Sequence, residues 1–402
     1  MINYLQSVLT YEPDSPMLFN SGLFWVLFMI FLPIYGMLRN RKATMMVYVI
    51  AFSLFFYYKS SGAFCLLLIA RTVIDYYISH WLARSDSKAA RRALLTMSLL
   101  LSLGTLGYFK YANFFMENIS VLFSTNFQPL DLVLPVGISF YTFQSISYVV
   151  DVYKGKTGQS KSLLEYLFFL SFFPALVAGP IVRSTAFLPQ IYNKEKIGES
   201  TVFSGMVLIM IGLVKKAIVA DYLAQFNNMV FGMPDSYSGF ECLMAVLGFS
   251  VQIFCDFSGY SDIAIGISRI MGFELGDNFR SPYKSLSITE FWRRWHISLS
   301  SWLRDYVYIP LGGNRKGSFR TYLNLMITML VGGIWHGAGW QFIIWGGMHG
   351  VGLVIHKLKS RFFPVQELRG IRLFVSWLGT FAFVTLLWVF FRAESTSVAV
   401  SL

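Results

Sequence analysis

Charge is what this sequence has least of. Of its 402 residues only 13% are Asp, Glu, Lys or Arg, 55% are hydrophobic, and the mean hydropathy is +0.55. A soluble domain carries about 25% charged residues, so a water-soluble globule is excluded. Cysteine is equally scarce. Cys65, Cys242 and Cys255 lie in apolar stretches without ligand spacing, which leaves them as small buried hydrophobes. No His/Cys pair has zinc spacing, so no metal site is expected. There is no G-x-S-x-G elbow and no Gly-rich phosphate loop ending in Lys-Ser/Thr. Internal repeats, long Gly/Ser linkers and soluble-looking blocks are missing too, so a single integral domain over residues 1–402 is expected. A basic leader is also lacking. Glu12 and Asp14 precede the first apolar run, which argues against a cleaved signal peptide and for Phe19–Leu38 as a span.

What the chain does have is apolar sequence in lengths that match a bilayer. Crossing the hydrocarbon core takes roughly 20 apolar residues. Uncharged runs occur at Phe19–Leu38, Ala93–Phe109, Leu132–Val150, Tyr166–Val182, Thr321–Ile355 and Leu373–Phe391. Shorter ones lie at Ala43–Tyr58, Ser200–Val214 and Cys242–Cys255. The pattern predicts an all-α, polytopic integral membrane protein with about ten to twelve embedded segments. The net charge of +12 collects in short loops between spans, as expected on the cytoplasmic side of a membrane, and does not point to nucleic acid. "RNRK" at 39–42 and "RSDSKAARR" at 84–92, with "KSSG" at 59–62 between them, predict an N-out start with both basic loops cytoplasmic.

Several local features stand out. Arg71 and Asp75 are four apart in an apolar segment and read as a structural ion pair on one helical face. His80 reads as interfacial. "FKYANFFMENISVLF" is amphipathic and is expected to lie along the interface, and "FFPALVAGPIVR" is expected to break at Gly179-Pro180. Thr321–Ile355 is the longest uncharged run, and as one straight helix it would reach about 52 Å against a core of about 30 Å. It must bend or turn back, and Gly332-Gly333, Gly337, Gly339 and Gly346-Gly347 supply the places. His336 lies within it. A histidine at membrane depth is a functional hypothesis by default. A neutral imidazole can act as a general base on a hydroxyl, although a core histidine bonded to a neighbouring helix has the same signature.

The other concentration of polar residues is "FWRRWHISLSSWLRDYVYIPLGGNR", residues 291–315. Glu290 is spaced to pair with Arg293 or Arg294. Trp292 and Trp295 read as belt residues near the interface, and the arginines could hold the phosphates of a nucleotide-bearing donor. Asp256 and Asp262 interrupt the preceding apolar stretch, with Ser258 and Ser261 between them. Of the remaining histidines, His349 shares this half of the chain, and His356 sits beside Lys357 and Lys359 as an interfacial residue.

"DFSGYSDIAIGISRIMGF", "NFRSPY", the 291–315 segment and "GGIWHGAGWQFIIWGGMHG" together resemble the membrane-bound O-acyltransferase (MBOAT) family, in its bacterial alginate O-acetyltransferase-like branch. "LPVGISFYTFQSISYVVDVYKG" and "FFPALVAGPIVR" extend the resemblance over residues 130–402. It implies a helical fold with re-entrant segments around a central funnel, and acyl transfer from a cytoplasmic thioester such as acetyl-CoA, with no bound cofactor. The acceptor implied is a hydroxyl of an exopolysaccharide or of peptidoglycan, reached with a periplasmic partner protein at the inner membrane. The resemblance makes His336, in "WHG", the catalytic residue and His296 the second polar position. Trp295, Arg293, Arg294, Asp305, Trp335 and Asn314 are the expected substrate-binding residues. Relatives commonly continue past "WVFFRAESTSVA", so a chain shortened at Leu402 is a further expectation. Two alternatives are a D-alanyl transferase of the same fold fed by a carrier protein, and a secondary transporter. The latter predicts inverted repeats, and none is visible.

Overall fold

A computed structural model describes residues 9–193, 197–362 and 369–402. Every regular element among them is helical. Five helical runs are long and apolar enough to cross a membrane: Lys42–Arg84, Lys88–Phe123, Glu199–Gly232, Gly239–Ile270 and Ile371–Arg392. The apolar Gly22–Leu38 is shorter. The described chain divides into two compact units, Met1–Leu213 with Tyr260–Gly276, and Val214–Gly259 with Asp277–Leu402.

The first unit is built from α1 (Gly22–Leu38), α2 (Lys42–Ser61), α3 (Cys65–Arg84), α4 (Lys88–Leu106), α5 (Ala112–Phe123), α6 (Ile138–Tyr153), α7 (Leu163–Ser171) and α8 (Glu199–Leu213). Between lipid-soluble helices apolar burial drives little association, so close packing and polar contacts must hold them. The packing here is aromatic: Phe24, Phe28, Phe31, Phe52 and Phe56 all lie against Phe173, at ring separations of 5.0 to 6.3 Å. Such pairs contribute about 0.5–1.5 kcal/mol each beyond area burial. The polar contact is the expected ion pair. Arg71 Nε and Nη2 donate to Asp75 Oδ2 and Oδ1 at 2.7 and 2.5 Å, and the hydroxyls of Ser98 and Ser145 donate to the same carboxylate. Asp75 is completely buried, so the network satisfies a charge that would otherwise be very costly.

Both basic loops lie at one end of this unit, as the orientation reading requires. Arg91 donates to the Tyr153 carbonyl at 2.7 Å and Lys42 pairs with Glu165 at 3.0 Å, flanking one short connection. The segment 59–61 faces the opposite end, where Met17 N donates to the Lys59 carbonyl and Val136 N to Ser61 Oγ. The chain does leave helical form before Gly179-Pro180, and Val177–Val182 runs irregularly among buried groups. A Cβ on Gly179 would lie 2.6 Å from the Pro174 carbonyl oxygen. At the start of "FKYANFFMENISVLF", a π-helical turn at Gly107–Tyr111 joins α4 to α5 in one continuous helical run, Lys88–Phe123.

The second unit holds α9 (Asp221–Gly232), α11 (Ile288–Arg294), α12 (Ile297–Leu303), α13 (Ser318–His336), α14 (Trp340–Phe362), α15 (Ile371–Arg392) and α16 (Thr396–Ser401). Helix α10 (Gly239–Ile270) starts in this unit and ends in the first. The long uncharged run turns back as its length demands. Helix α13 stops at His336, Gly337 is extended, and α14 returns along it. Their backbones touch through glycine. Gly333 and Gly346 meet so closely that an added Cβ would lie 2.3 Å from the Phe342 carbonyl oxygen or 2.5 Å from that of Met329.

Candidate active site

The hairpin puts His336 at its tip, as the last residue of α13, where it is half-buried. Three aromatic rings pack edge-on around its imidazole: Trp335 at 4.8 Å, Trp345 at 5.0 Å and Phe391 at 5.0 Å. The helix ends at His336, and its side chain keeps partial exposure.

His296 joins α11 to α12 with a left-handed backbone, φ 43°. A side chain in that region costs about 1–2 kcal/mol, so the surroundings must hold it. Ile297 N donates to the Asn278 carbonyl at 2.9 Å, and Arg280 N donates to the Arg294 carbonyl at 2.9 Å. The imidazole is fully buried, with Phe257 edge-on at 4.6 Å and Trp335 at 5.9 Å. Its Nδ1 lies 3.1 Å from Asn278 Oδ1, an atom that also receives the Ser298 backbone N–H at 3.2 Å and hydroxyl at 2.9 Å. A backbone N–H can only donate, so Oδ1 is an acceptor and Nδ1 carries the proton. That leaves the Nε2 lone pair of His296 buried, with no hydrogen-bond partner among the described residues.

The rings form a line. His296, Trp335, His336, Trp345 and His349 follow one another at 5.9, 4.8, 5.0 and 4.7 Å. His349 is fully buried between Phe291, Trp292, Trp345 and Phe383. Trp292 continues from it to a cavity of about 490 Å³. Arg293 and Arg304 supply positive charge to its lining, and Ser300, Ser301 and Thr328 supply hydroxyls.

The expected residues therefore fall in different places. His296, Trp335 and His336 come together. Arg293 lines the cavity and has no carboxylate partner among the described residues, whereas Arg294 pairs with Glu290 at 2.6 Å. Asp305 pairs with Arg304 at 2.9 Å in the π-helical turn Arg304–Tyr308. Asn314 is exposed just before α13, about 27 Å of helix from His336. Trp295 is buried against Phe279 and Trp388. Trp292 and Trp295 are therefore core residues, not an interfacial belt. Asn278, Phe257, Trp345 and Phe391 were not expected at the site, although Asn278 opens the "NFRSPY" motif.

The chain is similar in sequence to known proteins. The profile of MBOAT, the membrane-bound O-acyltransferase family, matches residues 156–398. The probable alginate O-acetylase AlgI of Pseudomonas aeruginosa is 40% identical over 95% of this chain and 73% of its own length. The peptidoglycan O-acetyltransferase of Helicobacter pylori is 37% identical over 87% of this chain and 71% of its own. The teichoic acid D-alanyltransferase of Bacillus subtilis is 31% identical over 56% and 59%. With the family profile over more than half of the chain and relatives aligned along nearly all of it, the chain belongs to the membrane-bound O-acyltransferase family.

Proposed function

We propose that this acyltransferase is an O-acetyltransferase of the bacterial inner membrane. It moves an acetyl group from a cytoplasmic thioester, acetyl-CoA or a similar donor, to hydroxyls of an alginate-like exopolysaccharide or of peptidoglycan, with a periplasmic protein assisting delivery. Similarity to alginate and peptidoglycan O-acetylating enzymes over 87–95% of the chain supports acetyl transfer. The D-alanyl alternative rests on similarity over 56% only. The transporter alternative falls with family membership.

The observation that carries the mechanism is His336 at the hairpin tip, half-buried among Trp335, Trp345 and Phe391. A neutral imidazole there takes the proton from the acceptor hydroxyl as its oxygen attacks the thioester carbonyl carbon. The C–S bond then breaks, and the same imidazole returns the proton to the leaving thiolate. Ester and thiol are the products, and no proton is gained or lost. Base catalysis of this kind supplies about 10² to 10⁴ in rate. His296, held by Asn278 with its Nε2 lone pair free, orients the second reactant across Trp335. The cavity beside Trp292 suits the donor, because Arg293 can meet its phosphates and the hydroxyls its amide groups. Mass spectrometry of surface glycans from cells carrying His336→Ala tests the reading. Loss of one acyl group from one polymer, at normal membrane abundance of the protein, is expected. Unchanged acylation would refute it.

A further inference from the structure

Asparagine is a poor residue for a helix interior, yet α13 carries one, Asn324, that is completely buried. Its Nδ2 donates to the Gly313 carbonyl at 2.9 Å and to the Leu311 carbonyl at 3.4 Å. Carbonyls only accept, so the orientation of the amide is fixed and each of its N–H groups serves one partner. Its Oδ1 has no partner among the described residues. A leucine would fill the same place without stranding a buried acceptor. What Asn324 supplies is therefore the pair of donated bonds.

Those carbonyls belong to a tight turn that follows the π-helical turn Arg304–Tyr308. Gly312 and Gly313 have φ of 112° and 56°, a backbone that favours glycine. The turn closes on the π-helical one: Gly313 N donates to the Tyr308 carbonyl at 2.9 Å, and Leu311 N to that of Val307 at 3.2 Å. Ile309 N donates to the Arg304 carbonyl at 2.9 Å. Arg304 and Tyr308 line the cavity beside Trp292, and so do Leu325 and Thr328 of α13. Thr328 also donates its hydroxyl to the Asn324 carbonyl at 2.6 Å. Asn324 thus ties together two parts of one cavity wall, and all of these residues lie in the second unit.

We propose that Asn324 is a positioning residue for the acyl donor, holding Arg304 and Tyr308 at a fixed place against α13. It acts through the turn and touches no reactant. The role rests on the reading of this cavity as the donor site. Without the two bonds the turn keeps its own internal bonds, but it loses its attachment to α13, and the Arg304 guanidinium loses its fixed origin. His336 lies 12 residues further along the same helix, about 18 Å away, so the reacting histidine is left in place. The defect is one of donor affinity. Asn314, the asparagine that the sequence points to, is exposed beside the same turn.

The test uses the full chain in detergent, with coenzyme A as the calorimetric probe and hydrogen exchange read by mass spectrometry. In Asn324→Leu the amides of residues 309–313 should exchange about tenfold faster or more, while those of α14 keep their rates. Affinity for coenzyme A should fall about tenfold, in line with one lost bond to a charged group. Should Asn324→Leu not accumulate, Gly313→Ala disturbs the same turn from its other side and should show both effects. Thr321→Val removes a hydroxyl bond to Gly317 in the same helix and should change neither, which separates the turn from general loosening of α13. Arg293→Gln reports on the cavity itself. A wild-type chain that does not bind coenzyme A, or binding indifferent to Arg293→Gln, would refute the donor site and the proposal with it. Binding that Arg293→Gln weakens but Asn324→Leu and Gly313→Ala leave intact, or exchange that stays unchanged, would overturn the proposal alone.

Discussion

Asn278 and His296, 18 residues apart, meet at 3.1 Å with the proton on the histidine's Nδ1. The contact fixes which nitrogen faces the site. Asn278→Asp keeps an acceptor at that place and should retain much of the acyl transfer. Asn278→Leu removes the acceptor and strands Nδ1–H and the Ser298 N–H, at about 1–3 kcal/mol for each buried group. Acyl content of the polymer, set against membrane abundance, should fall at least tenfold for Asn278→Leu and much less for Asn278→Asp. Equal loss in both would show that the tautomer is irrelevant.

The histidines should separate by kind of defect. His336→Ala and His336→Gln are expected to lower turnover by about 10² to 10⁴ with unchanged abundance. His296→Ala should lower transfer less and should alter apparent substrate affinity. His349→Phe fills the same aromatic box and should leave most activity, whereas His349→Ala opens a cavity and should lower thermal stability by about 3 kcal/mol. Steady-state kinetics and thermal denaturation in detergent distinguish the three.

Glycine packing in the hairpin gives a steric prediction. Gly333→Ala or Gly346→Ala drives a methyl into backbone on the facing helix and should displace the tip that holds His336. A loss of about 1–3 kcal/mol or more is expected. Gly347→Ala meets only a Leu330 methyl at 3.6 Å and should be tolerated. Thermal melting of the purified variants decides it.

For the first unit, Asp75→Asn should be more damaging than removing both charges. The single change leaves the Arg71 guanidinium buried without its carboxylate, at about 3–5 kcal/mol. Arg71→Met with Asp75→Leu should recover part of the lost abundance, measured by quantitative immunoblotting of membranes. No recovery would mean that the pair does more than balance charge.

Arg293 and Arg294 are neighbours with different expected defects. Arg293→Gln should raise the donor KM, because its guanidinium lines the cavity. Arg294→Gln breaks a half-exposed pair with Glu290 and should cost less than about 1 kcal/mol, with little change in KM.

Much of this was visible in the residues, and what was visible was local. A 35-residue uncharged run is too long for one crossing, so the turn at Gly337–Gly339 follows from length and glycine placement. Arg71–Asp75 and Glu290–Arg294 follow from helical spacing. The environment of tryptophan does not. Beside arginines, a belt tryptophan and a core tryptophan look alike in sequence, and only tertiary packing buries Trp292 and Trp295. Partners distant in the chain were equally hidden. Nothing local ties Lys42 to Glu165 or Lys216 to Asp256.

The α13–α14 hairpin also bears on biogenesis. Alone, α13 presents backbone at Gly333 that α14 covers in the folded protein. His336 reaches its place once the following 23-residue helix has been synthesised and has entered the bilayer beside it. On the proposed mechanism, the base is assembled only at a late step of translation, and products that end before α14 are expected to be inactive.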